Sequence, residues 1–344
     1  MIKSWLFEFF HQPLDGQRRS DPKAVNDHFH WYLDLWTRAD TRNFEGIFFS
    51  EHHFGAAYSP SPNLLISHIA ARTTRLRLGV LGSVSPYATP WRVVEEIAML
   101  DQLTNGRLEI GVVSGIPPEL AVVGITPDVA AARHAEVIDV LDAALKRPVI
   151  SHHGAQWNFD DLEILPRCLQ PSPPIWTAVR TAASAERAGR RGWKACGGFL
   201  SAKEVGEVFD AYRHGAEEAG HDHGPEQIAV RRMVTFVDAP SQQRDAVNRA
   251  KRALLDVLTA SAGPLPPWAA LLDRPDESIA TLSDEEFVSG TPQQVAEQLI
   301  EQCQIIGAGH LLVAFSERDY ARLEHSHELF STEVAPLLRE AGVA

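Results

Sequence analysis

An acid and two imidazoles follow one another at Glu51-His52-His53. The apolar run Gly46-Ile47-Phe48-Phe49-Ser50 comes directly before them, and the small-residue, Pro-rich loop from Gly55 to Pro62 follows. This is the profile of a buried strand that ends by releasing polar groups into a loop. Packing gives no reason for three titratable side chains at that point. An imidazole titrates near neutrality and suits proton transfer or hydrogen bonding to a reacting oxygen. The same residue types are also metal ligands, although three adjacent residues rarely converge on one ion. A hydrogen-bonded cluster that caps the next element is the third reading. Side chains alternate along a strand, so only one of His52 and His53 faces the mouth of the fold directly.

Other strand ends carry related signals. Leu78-Gly79-Val80-Leu81-Gly82-Ser83 ends in small residues. Gly82 either lets a flat ligand approach the backbone or marks a bulge. Leu108 to Val113 runs into Ser114-Gly115. Arg180-Thr181-Ala182-Ala183-Ser184 opens a helix after another apolar run. A helix start presents free N–H groups to phosphate, while Thr181 or Ser184 also fits a simple N-cap. No GxGxxG follows a strand and no P-loop is present, so neither of those nucleotide sites is supported. His28-x-His30 falls inside a helical pattern and reads as a packing or surface feature, and no metal site is expected.

Positioning these groups falls to a regular alternation. Strands are expected near 4–10, 46–50, 76–82, 108–113, 174–179, 193–197, 228–237 and 310–315. Helices are expected near 22–43, 62–74, 91–104, 128–147, 183–191, 203–220, 241–258, 292–307 and 325–340. Eight such units specify an α/β fold, a (β/α)8 TIM barrel in one domain over 1–344, with active groups at the C-terminal ends of the strands. Residues 148–173 and 259–291 read as insertions, the second a candidate lid around Trp268. Thr291-Pro292-Gln293-Gln294 is a capping signature, and Thr104-Asn105-Gly106 a helix stop.

Composition bounds the partners. The chain has 344 residues, is 44% hydrophobic and 22% charged, and carries a net charge of -13. That balance argues against a nucleic-acid surface, which needs clustered Lys and Arg. Cys168, Cys196 and Cys303 are far apart and odd in number. They read as reduced thiols of a cytoplasmic protein. The N-terminus does not read as a signal peptide, and no apolar run is long enough to span a membrane.

Four blocks together resemble the bacterial luciferase-like flavin monooxygenases: Phe49 to Phe54, Leu78 to Arg92, Glu95 to Arg107 running into Gly111, and Gly290 to Val295 followed by Gly307 to His310. The resemblance implies a TIM barrel that binds reduced flavin mononucleotide (FMN) at its C-terminal mouth. It implies that O2 forms a C4a-peroxide there and that a small organic substrate is oxygenated. It implies a separate NAD(P)H:flavin reductase and a homodimer. It places the catalytic histidine at His52, with His53 and Glu51 as supports, and a non-prolyl cis peptide between Leu81 and Gly82, beside Ser83. Family members often carry Arg where Ser114 stands, so Arg133 or Arg180, with Thr181 and Ser184, is expected to hold the phosphate. Phe7, Phe9, His11, Tyr87 and Trp268 are expected on the substrate side. The rival readings are a deazaflavin-dependent hydride-transfer enzyme on the same barrel, a non-catalytic flavin-binding subunit, and a metal-dependent barrel hydrolase.

Overall fold

The computed structural model describes residues 1–13, 18–55, 57–259 and 282–343, without the side chains of 258 and 259. Eight parallel strands close into a barrel: Lys3–Glu8, Gly46–Phe49, Arg77–Val80, Leu108–Val113, Ile175–Ala178, Lys194–Gly197, Ile228–Phe236 and His310–Phe315. The ring closes where Ala195 pairs with Ile228 and where Val313 pairs with Leu6. All eight expected strands are present, and helices connect them. These strands are buried on both faces, which is why they read as near-continuous apolar runs.

The N-terminal end of the barrel is plugged. Trp5, Phe48 and Trp176 fill it and are almost fully buried. Trp5 Nε1 donates to His310 Nδ1 at 3.0 Å, and Trp176 Nε1 to Glu109 Oε2 at 2.5 Å. Burial, with Lys194 and Lys3 nearby, pushes His310 down to about 3, so its neutral ring can accept that bond. Arg77 closes an ion pair on Glu109. With this end filled, ligands have access only at the opposite mouth. Close strand approach fixes one glycine there: a Cβ on Gly111 would sit 1.8 Å from the Val80 carbonyl oxygen.

The expected boundaries of two helices hold in detail. Thr291 accepts from the Gln294 N–H in a capping box, and Pro292 opens the helix Pro292–Ile306. Asn105 and Gly106 both take positive φ, 55° and 73°, after the helix Pro90–Leu103. The last helix is interrupted. Tyr320–Leu329 passes through a π-turn, Phe330–Val334, into Ala335–Glu340. Pro336 cannot donate to the preceding turn, which accounts for the widened step.

The first expected insertion is present, and the second differs from a lid in its described part. Within 148–173, Val149–His153 and Asn158–Glu163 form an antiparallel hairpin. Within 259–291, residues 260–281, Trp268 among them, lie outside the described residues. The rest is not lid. Phe287–Gly290 is a further strand paired with Met233 to Phe236 of the seventh barrel strand. A four-residue strand beside an acidic turn is too short to show a period in sequence.

Candidate active site

A cavity of about 1020 Å³ opens at the C-terminal mouth. It reaches the upper end of the roughly 300–1,000 Å³ that small-molecule sites occupy, enough for a nucleotide cofactor with a second molecule. His52 lines it and is 9% exposed. Its Nδ1 lies 2.8 Å from Glu119 Oε1. Glu119 sits on the short helix Pro117–Val122 that follows the fourth barrel strand, and it is 2% exposed. A carboxylate only accepts, so this contact holds the proton on Nδ1 and leaves the Nε2 lone pair free. Nε2 makes no hydrogen bond among the described residues. Glu119 Oε2 is buried and has no partner.

His53 turns away from this pair. Its Nε2 lies 3.1 Å from Glu51 Oε1, while Glu51 Oε2 accepts from the Val84 N–H at 3.2 Å. Tyr87 packs edge-on against His53 at 4.8 Å. Glu51 and His53 therefore fix the loop after the third strand, and the expected support of His52 by these two is replaced by Glu119. Sequence reading missed Glu119 because its contact spans 67 residues. Only the Pro117-Pro118-Glu119 helix start after a strand could have signalled it.

Part of the cavity lining is cationic. Arg180, Arg187 and Arg191 all line it. Ser184, Arg187 and Arg191 follow at helical spacing on and just beyond Ala182–Arg190, so one face presents them together. Arg191 is committed to Asp139 at 2.9 Å and to Asp142. Arg180 and Arg187 have no carboxylate within ion-pairing distance among the described residues. His134 also lines the cavity. Its Nδ1 shares a 2.7 Å hydrogen bond with Ser85 Oγ, and burial with Arg191 and Arg187 pushes it down to about 4.

Several expected residues fall elsewhere. Glu51, His52, Leu81, Gly82, Ser114, Arg180, Ser184, Phe7 and Phe9 line the cavity. His53, Ser83, Arg133, Thr181, His11 and Tyr87 are not among its lining residues. Arg133 Nη1 donates to the Pro86 carbonyl at 3.2 Å. Thr181 and Ser184 form a capping box, so their hydroxyls are spent largely on the helix start. His11 is buried against Phe9, with both ring nitrogens unpartnered. The Leu81–Gly82 peptide is cis. A Cβ on Gly82 would meet Val113 Cγ1 at 2.9 Å and Val112 backbone at 3.1 Å. Strand packing alone is therefore enough to favour glycine at that position.

The profile of the family described as luciferase-like monooxygenase matches residues 4–309. The chain belongs to the luciferase-like monooxygenases. It is 33% identical to the uncharacterised protein y4wF of Sinorhizobium fredii, over 83% of this chain and 84% of that one. Over about half of each chain, it is 33% identical to the oxygenase component of the flavin-dependent trigonelline monooxygenase of Acinetobacter baylyi. Two solved luciferase-like structures share its fold. One is the oxygenating constituent of 3,6-diketocamphane monooxygenase of Pseudomonas putida in complex with FMN, with TM-score 0.75, 22% identity and 98% of each chain covered. The other is an F420-dependent secondary alcohol dehydrogenase with an F420-acetone adduct, with TM-score 0.73, 17% identity, 98% of this chain and 99% of that one. As a luciferase-like monooxygenase the chain is an enzyme, an oxidoreductase that uses flavin and incorporates molecular oxygen. Among the described residues no helix is long and apolar enough to cross a membrane.

The cavity's donor set fits a flavin nucleotide. Arg180, just before the helix Ala182–Arg190, and Arg187, in its last turn, have no acid partner among the described residues and are available to a phosphate. Leu81 and Val113 add apolar lining.

Proposed function

We propose that the protein is the oxygenase component of a two-component monooxygenase. A separate NAD(P)H-dependent reductase delivers reduced FMN, and a small organic substrate receives one atom of O2 while the other leaves as water. Reduced FMN, once bound, supplies the two electrons that this division of dioxygen needs. The observation that carries the reading is one cavity lined both by the His52–Glu119 pair and by Arg180 and Arg187. The trigonelline relative's name, an oxygenase component, supports a separate reductase.

In this reading Arg180 and Arg187 bind the cofactor's phosphate, taking the place of the arginine absent at Ser114. Leu81 and Gly82 form the wall against the ring system. His52 accepts or returns a proton at Nε2, and Glu119 fixes that tautomer and steadies the ring when it becomes charged. Phe7 and Phe9, both buried, keep water from the reacting centre. The free thiols of Cys168, Cys196 and Cys303 suit a cytoplasmic setting. Exposed apolar side chains on two neighbouring helices, Leu64 at 71%, Met99 at 52% and Leu103 at 56%, suit a homodimer face.

The F420-dependent fold neighbour supplies the second reading, hydride transfer with a deazaflavin. Titrating the protein anaerobically with reduced FMN and with reduced F420 separates the two. Saturable binding of FMN alone supports the proposal, and saturable binding of F420 alone overturns it.

A further inference from the structure

The seventh strand carries Arg231, which lines the same cavity, and its neighbour Arg232, which does not; they are 5% and 0% exposed. A single fully buried acid, Glu286, serves both. Arg231 Nη2 lies 2.5 Å from Oε1, and Arg232 Nη1 lies 3.1 Å from Oε2. Glu286 also accepts the Phe199 N–H at 2.7 Å. Glu285, the next acid, is exposed and accepts from the Ala202 N–H. Cys196 is pushed up to about 12 by burial and stays a neutral thiol. Two guanidiniums against one buried carboxylate leave one surplus positive charge. Burying a charge without a counter-charge is unfavourable.

Of the two, only Arg231 lines the cavity. Arg232 donates from Nε to Gln302 at 2.5 Å and from Nη1 to the Arg231 carbonyl at 3.1 Å, and its Nη2 is buried away from that lining. Arg231 Nη2 faces Glu286 Oε1 across the ion pair, and its Nη1 is buried with no hydrogen-bond partner among the described residues. The guanidinium rests instead against three rings: Phe199 at 4.5 Å, Phe7 at 5.7 Å and Phe9 at 5.7 Å. All three line the cavity with it. Ring faces attract a cation but accept no aligned N–H fork in the way a carboxylate does.

We propose that Arg231 recognises the substrate, and that the substrate is an organic carboxylate, or an oxyanion of like shape, on an apolar body. The charged end takes the Nη1 edge of Arg231, which the ion pair with Glu286 leaves unmatched, and the body lies among Phe7, Phe9 and Phe199. Glu286 and Arg232 are positioning residues that hold the fork in the wall. This rests on the flavin reading, which gives Arg180 and Arg187 to the cofactor's phosphate; Arg180 stands 5.6 Å from the Phe199 ring that also packs Arg231, so cofactor and substrate would meet at Phe199.

The test uses the flavin-free protein and two matched pairs of probes: benzoate against benzamide, and cyclohexanecarboxylate against cyclohexanecarboxamide, followed by calorimetry. Each carboxylate is expected to bind at least about tenfold tighter than its amide, as charge-assisted hydrogen bonds require. Arg231→Met is expected to reduce that ratio to below about threefold while FMN binding stays at the parental level. Equal binding of acid and amide by the parent overturns the proposal, as does binding of neither. So does an Arg231→Met variant that keeps the preference, or one that loses FMN instead, since that assigns Arg231 to the cofactor. Failure of the parent to bind FMN is a separate result that sinks the flavin reading and leaves the acid–amide comparison standing.

Discussion

Replacing Arg187 by Ala tests how the cavity holds a phosphate. Arg187 faces the cavity from the same helix side as Ser184 and has no acid partner among the described residues. Its charge is thus available to a ligand. A charge-assisted hydrogen bond contributes about 1.5–3 kcal/mol, and Arg187 is exposed enough for solvent and salt to screen it toward the lower end. A loss of about 1–2 kcal/mol raises the Kd for FMN roughly 5- to 30-fold. Riboflavin lacks the phosphate and is expected to bind parent and variant within about twofold of each other. Arg180→Ala is expected to behave like Arg187→Ala. Arg133→Ala is expected to leave FMN binding within about twofold, because its guanidinium is spent on the Pro86 carbonyl outside the cavity. Anaerobic flavin titrations at low and high salt provide the assay. The reasoning is refuted if Arg187→Ala weakens riboflavin as much as FMN, or if Arg133→Ala reproduces its effect.

Two further outcomes are expected. Glu119→Gln keeps an acceptor for His52 Nδ1 but removes the charge that steadies the ring. Coupled oxygenation is expected to fall about 10- to 100-fold, less than the roughly 10²–10⁴-fold of removing the imidazole, with more reduced flavin ending as hydrogen peroxide. A peroxide yield equal to the parent's would count against a positioning role. His327 is buried, its Nδ1 is unpartnered, and burial with Arg42 and Arg38 pushes it down to about 3 from 6.5. Above pH 6.5 the ring is neutral in both folded and unfolded chains and costs nothing. Below 6.5 the unfolded chain gains the proton first, so stability is lost as pH falls toward 3. At pH 5 that loss is ~2 kcal/mol, from 1.5 units at about 1.4 kcal/mol each. His327→Phe is expected to recover it at pH 5 relative to pH 8 in urea unfolding. Parallel curves for parent and variant would contradict this.

The barrel was legible because each of its strands is a short apolar run bounded by turn chemistry, as at Thr104-Asn105-Gly106 and Thr291-Pro292. His52 was legible for the same reason, as polar groups stand out at the end of such a run. Its partner was not, because Glu119 meets His52 only once the fourth-strand loop folds over the mouth. The cationic part of the cavity was legible as far as Arg180 and Ser184. Arg187 looked like one more solvated helix charge until the helix was placed with that face toward the cavity. Arg232 and Glu286 were invisible, and Arg231 with them: charges inside an apolar strand and an acidic turn acquire meaning only when 54 residues of separation close into one ion pair.

The most direct measurement of the central claim is rapid mixing of the protein, preloaded anaerobically with reduced FMN, with oxygenated buffer. A flavin oxygenase is expected to show a transient spectrum distinct from both reduced and oxidised FMN, shortened in His52→Ala. Direct reoxidation at the rate of free reduced FMN, with no such transient in the parent, would contradict it.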